Sequence, residues 1–192
     1  ALKKHATHML QFKPGSDVAL LNSIMHVIIE DDLFNDEYIK KQTSGFDDLR
    51  RHLKNYPPEI MEEQTGIDAN LIREVAHLYA KTSKGIIFWG MGVSQHVHGT
   101  DNARCLISLA LMTGNVGRRG SGLHPLRGQN NVQGASDAGL IPMMYPDYQL
   151  VEKDDKQNFF EKFWNTPLDD KKGLTVVEIM DAIHENTIKG MY

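Results

Sequence analysis

Cysteine is almost absent from this chain. Cys105 stands alone, which excludes a disulfide framework, a CxxC pair and any set of thiolates that holds an iron–sulfur cluster or structural zinc within these residues. A reducing, cytoplasmic setting is the expectation. Long apolar runs are missing too: none approaches the roughly 20 residues needed to span a bilayer. The opening ALKKHATHMLQFKPG has a short apolar stretch and no small-residue cleavage site after it, so neither membrane contact nor export is expected. Nor is there a surplus of positive charge. A net charge of -4 and a pI near 6.1 argue against nucleic acid as a partner, because counterion release needs a dense array of cations. What remains, 41% hydrophobic and 24% charged residues without repeats or low-complexity tracts, is the composition of a globular chain of one or two domains.

Local patterns divide the chain into elements. His5 to Phe12 reads as a short strand, and KPGSD then supplies a Pro-Gly turn that places Ser16 or Asp17 to cap a helix carrying Leu20, Leu21, Ile24, Met25 and Ile28. Further helices are expected from Asn35 or Asp36 to Thr43, from Phe46 to Asn55, from Glu59 to Gln64 and, capped by Asp68, to about Thr82. Ile86 to Trp89 is an apolar run between glycines, the pattern of a strand covered on both faces of a parallel sheet. Thr100 or Asp101 caps a helix that ends before Gly114. Gly117 to Gly139 reads as irregular, followed by helices at Asn158 to Trp164 and Thr175 to Ile188. This order of elements favours an α/β fold with Rossmann-like layers, a parallel sheet flanked by helices, in which ligands sit outside the carboxyl ends of the strands.

The chemistry concentrates between Gly90 and Gly139, in GMGVSQ, TGNVGRRGSG and HPLRGQNNVQGASD. Glycines let a backbone approach a bulky ligand, and Gln95, Arg127, Gln129, Asn130, Asn131 and Gln133 supply planar or forked hydrogen-bonding groups. The combination suits a heterocyclic ligand that bears phosphate. Arg127 is the foremost candidate, since a guanidinium holds a carboxylate or phosphate bidentately at any relevant pH; its plain alternative is a surface or capping arginine. Arg118 and Arg119 read as a solvated loop or as phosphate contacts. His96 and His98 provide two ligands without a companion carboxylate, so no metal site is assigned. Cys105 reads as a small core residue. Asp17 has two open roles, as a helix cap or as an acceptor for the paired donors on a guanine edge, and Asp137 divides in the same way.

The run from GMGVSQ to NNVQGASDAG resembles the large, pterin-containing subunit of molybdenum or tungsten formate dehydrogenases, members of the dimethyl sulfoxide reductase superfamily. FKPGSDVALLNSIMHVIIE and the Tyr-Pro-x-Tyr ending at Tyr148 extend the likeness over about the first 150 residues. The resemblance implies a bis-molybdopterin guanine dinucleotide centre with Mo or W, a 4Fe-4S cluster that relays electrons, and oxidation of formate to carbon dioxide. It implies that Arg127 orients formate and that Gly128 and Gln129 adjoin the cofactor. It further implies that Met91 and Gln95 line one pterin dinucleotide, with Asp17 the aspartate of its PGSD turn. His124 and Ser136 stand where some relatives place Asn and Cys.

Complete members also carry an N-terminal cysteine cluster, a cysteine or selenocysteine metal ligand followed by histidine, and a carboxyl-terminal domain. The expectation is therefore an internal fragment, with residues 1–129 ending one dinucleotide-binding α/β domain and 130–192 beginning the next. Such a piece binds no cofactor and is inactive in isolation, its partners being formate, the remaining domains of its own subunit and electron-transfer subunits. The competing reading is a non-catalytic nucleotide-binding or scaffold module.

Overall fold

The structure, a computed structural model, describes residues 2–192. The chain divides into two units, the first ending at Arg127 and the second running from Gly128 to Tyr192.

The first unit is built around α1 (Asp17–Glu30). Its apolar residues wrap most of the helix, so it is buried on several sides at once. Leu20, Ile24, Met25, Val27 and Ile28 are all buried and form one core with Ile39, Leu53, Ile67, Ile72, Ala76, Leu109 and Met112. These residues come from α2 (Asp36–Gln42), α3 (Phe46–Leu53), the link between α4 (Pro58–Thr65) and α5 (Ala69–Lys81), α5 itself, and α7 (Gly99–Met112). Each large apolar side chain buried here contributes roughly 1.5–3 kcal/mol. The Asp68 cap read from the sequence is made as expected, and Asn35, read only as a possible start of its helix, also acts as a cap. Asn35 Oδ1 accepts from the Tyr38 amide at 2.9 Å, and Asp68 Oδ1 accepts from the Asn70 and Leu71 amides at 3.0 and 3.1 Å.

Strand β1 (Ile86–Trp89) leads into the short helix α6 (Met91–Ser94), then α7, and the chain returns as β2 (Gly122–Pro125). The two strands pair in parallel, Ile86 opposite Gly122 through Trp89 opposite Pro125. The fold is thus mixed α/β, dominated by helices around a small parallel sheet.

Several local expectations are corrected. His5 to Phe12 forms no strand. His8, Leu10 and Phe12 do turn inward while Met9 and Gln11 turn out, so the period is that of a strand, but no neighbouring strand completes a ladder. Ser16 takes the cap position of α1, yet its hydroxyl donates back to the Lys13 carbonyl at 2.6 Å instead of accepting from helix amides; Asp17 is the first helical residue. β1 is covered on one face only, because Ile86 and Phe88 are 44% and 60% exposed while Ile87 packs on the core. α7 begins at Gly99, before Thr100 and Asp101, with His98 at its cap position. The stretch from Gly117 to Gly139 contains β2 and α8 (Val132–Asp137).

In the second unit β3 (Met144–Tyr145) and β4 (Gln149–Leu150) form an antiparallel pair. Tyr145, Val151 and Phe160 make a small core, with Phe160 supplied by α9 (Asp154–Trp164). α10 (Val176–His184) opens on a capping box: the Thr175 hydroxyl accepts from the Glu178 amide while the Glu178 carboxylate accepts from the Thr175 amide. Among the described residues no helix is long and apolar enough to cross a membrane.

Candidate functional site

Both strands of the parallel pair run the same way, so their carboxyl ends, and the loops that follow, emerge side by side. The pairing continues one step past the strands: the Leu126 amide donates to the Trp89 carbonyl at 2.6 Å. Gly90 lies against that exit, where an added Cβ would stand 3.7 Å from the Leu126 carbonyl oxygen. The GMGVSQ turn and the Leu126-Arg127 segment therefore leave the sheet together, at the edge where open α/β sheets hold their ligands.

Met91 starts α6 and is 38% exposed. Gln95 ends it, its amide donating to the Met91 carbonyl at 2.8 Å, and its side chain is exposed. Arg127 is exposed and makes no hydrogen bond or ion pair among the described residues, leaving all five of its donors free. Gly128 and Gln129 belong to the second unit and are exposed.

Asp17 is the buried member of the set, 6% exposed in the first turn of α1, where free amides and the helix dipole favour negative charge. It lines a cavity of about 340 Å³ with Gly15, His96, Val97, His98 and Asn102. The PGSD turn and the loop that follows Gln95, distant in sequence, thus share one concavity. Among the described residues no group of three or more His, Cys, Asp or Glu side chains is placed to hold a metal ion.

Two asparagines were not singled out in the sequence. Asn102 is 2% exposed and donates from Nδ2 to the Val93 carbonyl at 2.9 Å, tying α6 to α7. Asn115 is 1% exposed and anchors the TGNVGRRG segment: its Oδ1 accepts from the Gly85 amide at 3.1 Å and from Arg118 at 2.9 Å, while Nδ2 donates to Thr113 Oγ1. Arg118 also donates to the Ser83 carbonyl, so it braces the start of β1. A readable signal existed for Asn102, which sits on the same helix stripe as Leu106 and Leu109. Cys105 packs at the core, its thiol 3.5 Å from Asn22 Oδ1, and burial together with the charge of Asp101 pushes the thiol up to about 11. Such a thiol is protonated and unreactive near neutral pH.

A family model described as molybdopterin oxidoreductase matches residues 2–192. The chain belongs to that family. This molybdopterin oxidoreductase chain is 43% identical over 98% of its length to the F420-dependent formate dehydrogenase subunit alpha of Methanocaldococcus jannaschii, and 44% identical over 81% of its length to formate dehydrogenase H of Escherichia coli. It spans only 28% and 22% of those relatives. Among solved structures it resembles acetylene hydratase from Pelobacter acetylenicus, with a TM-score of 0.59 and 26% identity over 61% of this chain and 16% of that one. The fold of this chain thus recurs in a protein named for a different reaction, so fold alone does not select the substrate.

Proposed function

We propose that this molybdopterin oxidoreductase chain serves in a formate dehydrogenase catalytic subunit, supplying one wall of the dinucleotide pocket and the arginine that orients formate. The donor set fits such a cofactor. Forked and amide donors stand unpaired at Arg127 and Gln95, as phosphate and pterin edges require, and a buried carboxylate acceptor lines the Asp17 cavity, as a guanine edge requires. Asp17, Met91, Gln95, Gly128 and Gln129 are the residues assigned to hold a bis-molybdopterin guanine dinucleotide. When bound, that group with Mo or W accepts the two electrons released as formate becomes carbon dioxide and a proton, and a 4Fe-4S cluster elsewhere in the subunit passes them on.

The observation that carries the reading is the unpaired Arg127 beside the Gly90 turn. Formate is a monoanion whose C–H must face the oxidising centre, and a guanidinium grips both carboxylate oxygens without exchanging a proton itself. In the full-length enzyme, Arg127→Ala is expected to lower kcat/KM for formate by roughly 10²–10³-fold, with pterin content retained. Arg127→Lys, which keeps charge but loses the fork, should recover only part of it. Unchanged formate kinetics in Arg127→Ala would overturn the assignment.

The Asp17 cavity by itself also suits a nucleotide-binding module without catalysis. Mo or W, pterin and iron analysis of the native gene product separates the two, since a metal-free and pterin-free product would support the module. Because the chain spans about a quarter of its relatives' length, the 192 residues alone are expected to reduce no dye with formate.

A further inference from the structure

We infer that Asn102 is a positioning residue that locks the GMGVSQ turn to the cavity of Asp17. The inference rests on the reading of Asp17, Met91 and Gln95 as cofactor contacts and adds to it the part that holds them in register.

α6 has only four residues, Met91 to Ser94. A helix of one turn has no stability of its own, since nucleation is unfavourable and little propagation follows it. Its internal bonds, from the Val93 and Ser94 amides to the Gly90 carbonyl and from the Gln95 amide to the Met91 carbonyl, therefore need an outside support. Two contacts supply it. At Gly99 the backbone of α7 presses directly on the end of the turn, so closely that an added Cβ would lie 1.8 Å from the Ser94 carbonyl oxygen. One turn further along α7, the buried Asn102 gives its carboxamide N–H to the Val93 carbonyl at 2.9 Å. The Asn102 backbone amide donates to the His98 carbonyl at 2.9 Å, which ties the same residue to the end of the His96–His98 loop.

Asn102 also lines the Asp17 cavity. One residue therefore meets both the turn that carries Met91 and Gln95 and the cavity that carries Asp17. Only a short side chain with a neutral N–H donor does this: alanine leaves the Val93 carbonyl unpaired, and aspartate of the same shape offers an acceptor in place of the donor. Loss of a support behind ligand-holding residues typically weakens binding by roughly 10–100-fold. Neither of the hydrogen bonds made by Asn102 runs to β2 or Arg127, so substrate binding should not follow.

The test compares Asn102→Ala and Asn102→Asp with Asp17→Ala in the full-length enzyme, reading guanine nucleotide per protein, formate kinetics and amide exchange. Both Asn102 variants are expected to lower nucleotide content and kcat while KM for formate stays within about twofold. Exchange at the Val93, Ser94 and Gln95 amides should quicken by roughly fivefold, as loss of one hydrogen bond permits, with Leu106 to Met112 unaffected. Should Asn102→Ala fail to fold, Asn102→Asp carries the comparison, with exchange of the 192-residue chain as a second measurement. Loss of nucleotide in Asp17→Ala but not in the Asn102 variants, or exchange that rises along all of α7, would overturn the positioning role. No loss in any variant, Asp17→Ala included, would instead overturn the underlying cofactor reading.

Discussion

Gly99 has no room for a side chain, and the reason is contact, not backbone conformation: the Ser94 carbonyl occupies the place of its Cβ. Gly99→Ala must push the turn away from α7, so its melting temperature should fall by several degrees, the equivalent of roughly 1–3 kcal/mol of overpacking; an unshifted melt would refute the close approach. Cys105 offers a different check. Its thiol titrates near 11, raised from an ordinary value of 9.0 by burial and then by Asp101. The folded state thus holds the proton more tightly than the unfolded chain. The stability from this group is full below about pH 9 and is lost as pH rises from there towards 11. Alkylation of the native chain at pH 8 should be at least tenfold slower than that of the unfolded chain, and equal rates would contradict the burial. At this scale the sequence was partly legible. Asp17, Gln95 and Arg127 stood out because unusual residue types cluster around glycines, whereas Asn102 and Asn115 did not, because a buried amide announces itself only through the backbone groups it meets.

Among the elements, helices were easier to read than strands. Asp68 caps α5 where the sequence places a cap, and α10, read as a helix from Thr175, opens on a Thr175–Glu178 capping box, because capping involves residues two or three apart. Strand formation depends on a partner far along the chain. Within the stretch read as a strand, His8 to Phe12 alternates in burial and stays irregular for want of one, while Gly122–Pro125, with little strand character, becomes β2 by pairing with β1. The fastening of that pair is Asn115, which accepts from Gly85 just ahead of β1 and from Arg118. Asn115→Ala leaves a buried amide unpaired and should cost about 2 kcal/mol, lowering the melting temperature by roughly 4–8 °C. A variant as stable as the parent would remove Asn115 from this role.

At the scale of the whole molecule the two units are unequally built. The first gathers its core from several helices around α1, whereas the core of the second rests on Tyr145, Val151 and Phe160. Local opening free energy follows buried apolar contact, so amides of α9 and α10 should exchange well before those at Ile24 to Ile28; equal protection would contradict this ordering. The amino-acid sequence by itself determined the family, the longer helices and the residue types of the candidate site, since these lie in local pattern and in motifs that persist through short stretches of chain. Only the tertiary structure decided that β1 and β2 adjoin, that the GMGVSQ turn and Arg127 leave the sheet side by side, and that Asp17 shares a cavity with His98 and Asn102. Those neighbours are distant in sequence, and what brings them together is the burial of α1 among its helices and the demand of each buried backbone group for a partner.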